Sequence, residues 1–265
     1  MKNTPSLPSA LPGRVTLVGA GPGDPELLTL RAVRAIGEAT VLLVDDLVGE
    51  GVLAHAQPGA RIIHVGKRGG CRSTPQAFIE RLMVMAAREG ERVVRLKGGD
   101  PFIFGRGGEE VEHLRAAGVP VEVVNGITSG LAGASALGVP LTHRDHAHGV
   151  MLVTGHAKPG DAGPDWVLLA RTAHQARLTL VIYMGVSSAS RIEAGLLEGL
   201  PADTPVAVVQ QASLPAQRHV VTRLGDLQST LAREGLGSPS VIVVGDVLRG
   251  LAAAADDAGA ASRAA

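Results

Sequence analysis

Six short stretches hold most of the groups in this 265-residue chain that could do chemistry. They are GAGPGD at 19–24, DD at 45–46, GKRGG at 66–70, KGGDPFIFGRGGEE at 97–110, NGITSG at 125–130 and THRDHAH at 142–148. The first has the look of a phosphate-cradling turn, but Asp24 stands where a dinucleotide fingerprint needs its third glycine, and Pro25 follows where the helix should start. Asp45 lies at the distance where such a fold would hold a ribose hydroxyl. GKRGG resembles the tail of a phosphate loop, yet that motif needs a glycine at position 61, which is Arg. His143, Asp145, His146 and His148 could ligate a metal, but their spacing matches no standard zinc pattern. An exposed hinge, or cations facing an acidic substrate, suits the histidines better, and no metal is expected. Lys67 and Arg68 could be solvated surface charges, but their place among glycines at a strand's carboxyl end favours a functional role.

These stretches must be positioned by something, and the pattern around them is regular. Short β-branched runs at 15–19, 40–44, 61–65, 92–96 and 121–124 alternate with helical segments. In TPQAFIERLMVMAAREG, Thr74 suits a helix N-cap, Pro75 the first helical position and Gly90 the stop. Such alternation predicts a parallel sheet covered by helices, whose ligands bind beyond the carboxyl ends of the strands. Five of the six stretches directly follow a predicted strand, so they belong to one site. Further strand-like runs at 150–154, 178–183, 205–210, 218–222 and 240–244 succeed one another with less helix between, which predicts a mixed sheet. The expected organisation is two α/β domains, at 14–140 and 149–250, joined by a linker at 141–148, with loose tails at 1–13 and 251–265. Trp166 and Tyr183 are expected in the core.

Composition narrows the function. Glycine is 35 of 265 residues, against a usual share of roughly 7%, as expected where backbone approaches a ligand closely. The 25 basic and 25 acidic residues balance, and aromatics are 2%, which argues against a nucleic-acid partner. One cysteine, Cys71, suits a reducing compartment. No apolar run nears the ~20 residues of a membrane span, and the opening MKNTPSLPSALPG lacks a signal-peptide core. The expectation is a cytoplasmic protein with no membrane partner. A dehydrogenase, a Rossmann-type methyltransferase and a nucleotide-sensing module remain open on these grounds.

Taken together, VGAGPGDPELLTL, GKRGG, VVRLKGGDPFIFGRGGEE, NGITSG, VPLTHRD and YMG resemble the tetrapyrrole methylase family, over about residues 14 to 248. The resemblance implies a two-domain α/β fold with the active site in a cleft between the domains, and S-adenosylmethionine as methyl donor. It further implies two C-methylations of uroporphyrinogen III, through precorrin-1 to precorrin-2, for sirohaem or cobalamin, by a homodimer. By the same resemblance, cofactor contacts fall on Pro22, Gly98, Gly99, Asp100, Ile103, Thr128, Ser129, Met184 and Ala212. Asp45 becomes the proton acceptor and Lys67 the proton donor. Arg68, Arg106, His143 and Arg144 are candidates for the substrate carboxylates, with an ion pair to Glu109 or Glu110 as the competing role for Arg68 and Arg106. The chain departs from the family pattern at Val44, where an aromatic is usual, at Asn125 and Ser129, where Pro and Ala are common, and in the extra histidines 146 and 148.

Overall fold

The computed structural model describes residues 13–66, 74–157 and 160–253. Contacts divide the chain into two compact units, with the division between Thr128 and Ser129. The first unit runs β1 (Arg14–Gly19), α1 (Leu30–Glu38), β2 (Val41–Val44), β3 (Arg61–His64), α2 (Gln76–Arg88), β4 (Arg92–Lys97), α3 (Gly107–Ala116) and β5 (Val121–Val124). Its sheet has the order β3-β2-β4-β1-β5, and every pairing is parallel.

A parallel sheet covered on both faces needs strands that are apolar on both sides, and these are. Val15, Leu17, Val41, Leu43 and Val93 pack with Ile79 and Met83 of α2 and Leu114 of α3. The alternate residues Val18, Leu42, Val44, Val94 and Leu96 pack with Ala32 and Ile36 of α1. The chain builds the sheet outward from β1 through β2 to β3, then returns to β4 and β5. The reversal leaves β1 and β4 as neighbours with crossovers leaving in opposite directions, and a ligand crevice forms at such a switch point. One detail differs from the sequence expectation: α2 starts at Gln76, with Pro75 as N-cap and no side-chain cap bond from Thr74. Gly90 does follow the helix end in a left-handed conformation, at φ +85°.

The second unit runs α4 (Ser129–Ala136), β6 (Gly149–Thr154), α5 (Trp166–Ala176), β7 (Leu178–Tyr183), α6 (Ala189–Leu197), β8 (Pro205–Gln210), β9 (Arg218–Arg223), α7 (Leu227–Glu234) and β10 (Ser240–Val244). Its sheet, β6-β7-β10-β8-β9, is mixed: β6 and β7 are parallel, and the remaining pairings are antiparallel. Leu180, Ile182, Val206, Val208 and Ile242 pack with Trp166, Ile192 and Leu231 in its main core. Trp166 and Tyr183 are both buried, as expected. The division at 128/129 precedes the boundary expected at 141–148 because α4 packs on this sheet. Its small residues allow a close approach that no hydrophobic period reveals. The Gly130 N–H donates to the Tyr183 hydroxyl at 3.0 Å, and a Cβ on Gly133 would meet Val241 at 3.0 Å.

Candidate active site

Beyond the carboxyl ends of the first sheet, the loops meet backbone to backbone. The Gly21 N–H donates to the Gly99 carbonyl at 3.2 Å, and the Gly99 N–H donates back to Gly21 at 2.7 Å, which ties the two loops at the β1/β4 switch point. A Cβ on Gly19 would lie 2.5 Å from the Gly126 nitrogen and 2.7 Å from the Gly99 carbonyl oxygen, and one on Gly126 would collide with that same oxygen. Only glycine fits at this three-way junction of the β1, β4 and β5 loops. The β2 loop joins the rim through Leu47, which lies against Gly98, and Gly66 beyond β3 lies against Asp46.

The helix that follows β1 explains what the loop is not for. Asp24 caps a 3-10 turn at Pro25–Leu27, its Oδ1 accepting from the Glu26 N–H at 2.9 Å. In a dinucleotide site that place belongs to free helix N–H groups facing a phosphate. Here a carboxylate occupies it, so a phosphate would meet negative charge.

Asp100 is a brace between loops. It is buried; its Oδ1 accepts from the Phe102 N–H at 2.8 Å, and its Oδ2 from Gly126 N–H at 3.1 Å and Asn125 Nδ2 at 3.2 Å. Pro22, Gly98, Gly99 and Ile103 stand on the rim half-buried, and Thr128 is buried just beyond β5. In the second unit, Met184 directly follows β7 at φ +54° and is exposed, whereas Ala212 is buried between Gln211 and Ser213, at φ +51° and +68°.

Of the proposed cations, Lys67 and Arg68 lie outside the described residues. The Arg106 guanidinium is held by Glu109, its Nη2 2.6 Å from Oε2 and its Nε 3.1 Å from Oε1, and this bond pushes the arginine further up. Its pairing is thus the competing one foreseen from sequence. His143 and Arg144 are exposed in a turn where His143 stacks on His146 at 4.7 Å and its Nδ1 accepts from the Asp145 N–H at 3.1 Å. No cluster of three or more metal-ligating side chains is found among the described residues.

Two features of the rim escaped the sequence reading. Leu47, Phe102 and Phe104 expose apolar side chains beside the polar groups, at 62%, 52% and 40%, so an apolar ligand face has something to lie on. Beneath the rim sits a buried charge cluster. Asp45, just beyond β2, accepts from Arg95 Nη2 at 3.1 Å through Oδ2 and from the Asp46 N–H at 3.2 Å through Oδ1. Arg95 Nε reaches Glu110 Oε1 at 3.1 Å. Lys97 Nζ lies 3.3 Å and 3.2 Å from the two Glu110 oxygens, and Gln76 Nε2 donates to Oε1 at 3.0 Å. Burial, and then the neighbouring Arg95, push the Lys97 ammonium below its usual range, against the opposing pull of Glu110. Arginine and lysine at alternate positions of a central strand mark core-facing charges that must find partners, but nothing in the sequence says which partners. A cavity of about 360 Å³ lies elsewhere, at the opposite ends of the strands by Arg14 and Arg92, where Arg14 pairs with Glu38 and Arg31 with Glu122. It shares nothing with the rim.

A doubly covered parallel sheet with a glycine-tied rim at its switch point, and no phosphate seat, defines an α/β ligand-binding enzyme of a class apart from the dinucleotide folds. Residues 14–228 match the family model for tetrapyrrole (corrin/porphyrin) methylases. A uroporphyrinogen-III C-methyltransferase of Pseudomonas aeruginosa is 55% identical over 238 residues, covering 89% of this chain and 95% of the relative. A siroheme synthase of Azotobacter vinelandii is 49% identical over 243 residues, but only 51% of its length is matched. Among solved structures, uroporphyrin-III C-methyltransferase of Thermus thermophilus bound to S-adenosylhomocysteine superposes with a TM-score of 0.75 at 47% identity, covering 89% of this chain and 99% of the other. The chain belongs to the tetrapyrrole methylases, S-adenosylmethionine-dependent methyltransferases.

Proposed function

We propose that this enzyme methylates uroporphyrinogen III twice, at carbon, to give precorrin-2. The observation that carries the proposal is the rim at the β1/β4 switch point: loops tied by the Gly21–Gly99 bridge, with the phosphate position filled by the Asp24 carboxylate. The residues suit S-adenosylmethionine, which has an adenosine and a sulfonium but no phosphate. Pro22, Gly98, Gly99, Ile103, Thr128, Ser129, Met184 and Ala212 would be its contacts. Asp100 would shape the rim by bracing its loops. Two of the close relatives carry the substrate in their names.

The bound donor supplies an electrophilic methyl group. The chain must then place an electron-rich pyrrole carbon in line with it, and such positioning is worth on the order of 7–11 kcal/mol. Leu47, Phe102 and Phe104 would give the macrocycle an apolar seat, while Arg68, His143 and Arg144 would face its carboxylates. With Arg106 already engaged by Glu109, a carboxylate would have to compete for it. Asp45 would accept a proton as the macrocycle rearranges, and Lys67 would donate one. A homodimer and a cytoplasmic location are part of the same proposal, the single cysteine bearing on the latter. No helix among the described residues is long and apolar enough to cross a membrane.

Calorimetry with S-adenosylhomocysteine and with NAD tests the cofactor, and mass spectrometry of uroporphyrinogen III incubated with S-adenosylmethionine tests the substrate. Binding of the first ligand alone, and a mass gain of two methyl groups, are expected. NAD binding, or an unmodified tetrapyrrole, would overturn the proposal.

A further inference from the structure

We propose that Arg95 is a positioning residue for proton transfer: it clamps the Asp45 carboxylate, and the buried Glu110–Lys97 pair anchors the clamp. The inference rests on the assignment of Asp45 as proton acceptor made above. Its basis is a set of charges that the fold alone has no use for. Arg95, Lys97 and Glu110 are 2%, 3% and 0% exposed, on the sheet face that otherwise buries Leu17, Leu43, Met83 and Leu114. Removing such ions from water costs several kcal/mol each, and apolar residues of similar volume often serve stability as well or better. A bare structural need would be met by leucine or methionine.

The geometry gives the charges a direction. Each guanidinium nitrogen of Arg95 is engaged: Nε with Glu110 at 3.1 Å, Nη1 with the Leu96 carbonyl at 3.1 Å, and Nη2 with Asp45 Oδ2 at 3.1 Å. The planar fork therefore cannot swing. Glu110, which fixes its near end, is itself held by Lys97 and Gln76. At the far end, Asp45 reaches solvent, with 36% of its side chain exposed. One of its oxygens is pinned by Arg95 and the other by the Asp46 N–H, so the carboxylate keeps a single orientation. A base that must meet a proton at hydrogen-bond distance gains from such a support, because a functional group has to be held within about 0.5 Å of its productive position.

A double-mutant cycle on the full chain distinguishes positioning from mere structure. Arg95→Lys keeps the charge beside Glu110 but loses the fork. Single-turnover methylation should fall by on the order of 10–100-fold, with S-adenosylhomocysteine affinity within about twofold of wild type, as for a change felt in the chemical step and not in cofactor binding. In an Asp45→Asn background the same substitution should change the rate by less than about twofold, since the group it positions is gone. The charge-balanced pair Arg95→Gln with Glu110→Gln serves as the second variant, and should show the same loss and the same dependence on Asp45. An equal rate loss in both backgrounds, a wild-type rate for Arg95→Lys, or failure of both variants to fold would overturn the proposal and leave the cluster a structural one. Wild-type turnover by Asp45→Asn alone would instead overturn the assignment of Asp45, and this proposal with it.

Discussion

The carboxylate of Asp100 accepts three hydrogen bonds from the protein, two of them from backbone N–H groups on different loops, and this makes its replacement by Asn unusually informative. Asn has the same shape but only one accepting oxygen at its tip. If that oxygen faces Gly126, the new NH2 group points at the Phe102 N–H; if it faces Phe102, the NH2 group points at Gly126 and Asn125. Whichever way the amide turns, at least one backbone N–H loses its acceptor in a part-buried place. That costs about 1–3 kcal/mol, and loss of the ionic acceptor weakens the surviving bonds by roughly another 1 kcal/mol. The expected destabilisation of Asp100→Asn is therefore about 2–4 kcal/mol. Asp100→Ala, which strands both backbone donors, should cost more.

Urea denaturation with calorimetric titration of S-adenosylhomocysteine on the same samples decides the matter. A brace predicts the order wild type, Asn, Ala in both stability and affinity, because the Phe102 and Gly126 peptides that Asp100 holds are part of the rim. A direct ligand contact predicts lost affinity at unchanged stability. An unfolding midpoint for Asp100→Ala equal to that of wild type would refute the bracing role outright.

Two further outcomes follow from the rim. Gly19→Ala, whose Cβ would stand 2.5 Å from the Gly126 nitrogen, must part three backbones and should destabilise by at least the ~1–3 kcal/mol of ordinary overpacking, read as a lower midpoint in urea with cofactor affinity lost in parallel. One set of cofactor residues can serve one S-adenosylmethionine at a time, so limiting cofactor with excess uroporphyrinogen III should accumulate a singly methylated product; mass spectra holding only unmethylated and doubly methylated species would contradict this.

The frame of the molecule could be read from sequence because its strands are short, β-branched and separated by glycine-rich loops. β1, β4 and all the strands of the second sheet lie within a residue or so of their expected runs. The concentration of chemistry at one sheet edge was legible for the same reason, since a parallel sheet delivers every strand end to one side. The charge cluster was not, because Arg95 and Lys97 become partners of Glu110 only when α3 folds back over β4, a contact with no local signature. GRGGEE reads as more glycine-rich loop, yet from Gly107 it is helix, and this turn of helix buries Glu110. Asn125 shows how a departure from the family wording acquires meaning only in three dimensions. Its amide donates to Asp100, a bond that proline could not make.

Backbone strain bears independently on where the ligand contacts lie. Six non-glycine residues among those described have positive φ: Phe104, Arg106, Arg177, Met184, Gln211 and Ser213. Arg177 ends α5 as its left-handed C-cap, an ordinary use of that conformation. The remaining five all lie in loops that leave the carboxyl ends of strands: two after β4, one after β7 and two after β8. Each such residue costs of order 1–3 kcal/mol and persists only where its surroundings hold it. Glycine would relieve that cost at every one of these positions, and this chain places glycine freely beside several of them, at Gly105 and Gly185 for example. What glycine cannot supply is a side chain. Retaining Phe104 and Met184 in strained positions, each with its side chain exposed, is therefore better explained by a need for apolar groups aimed off the strand ends than by any requirement of the fold.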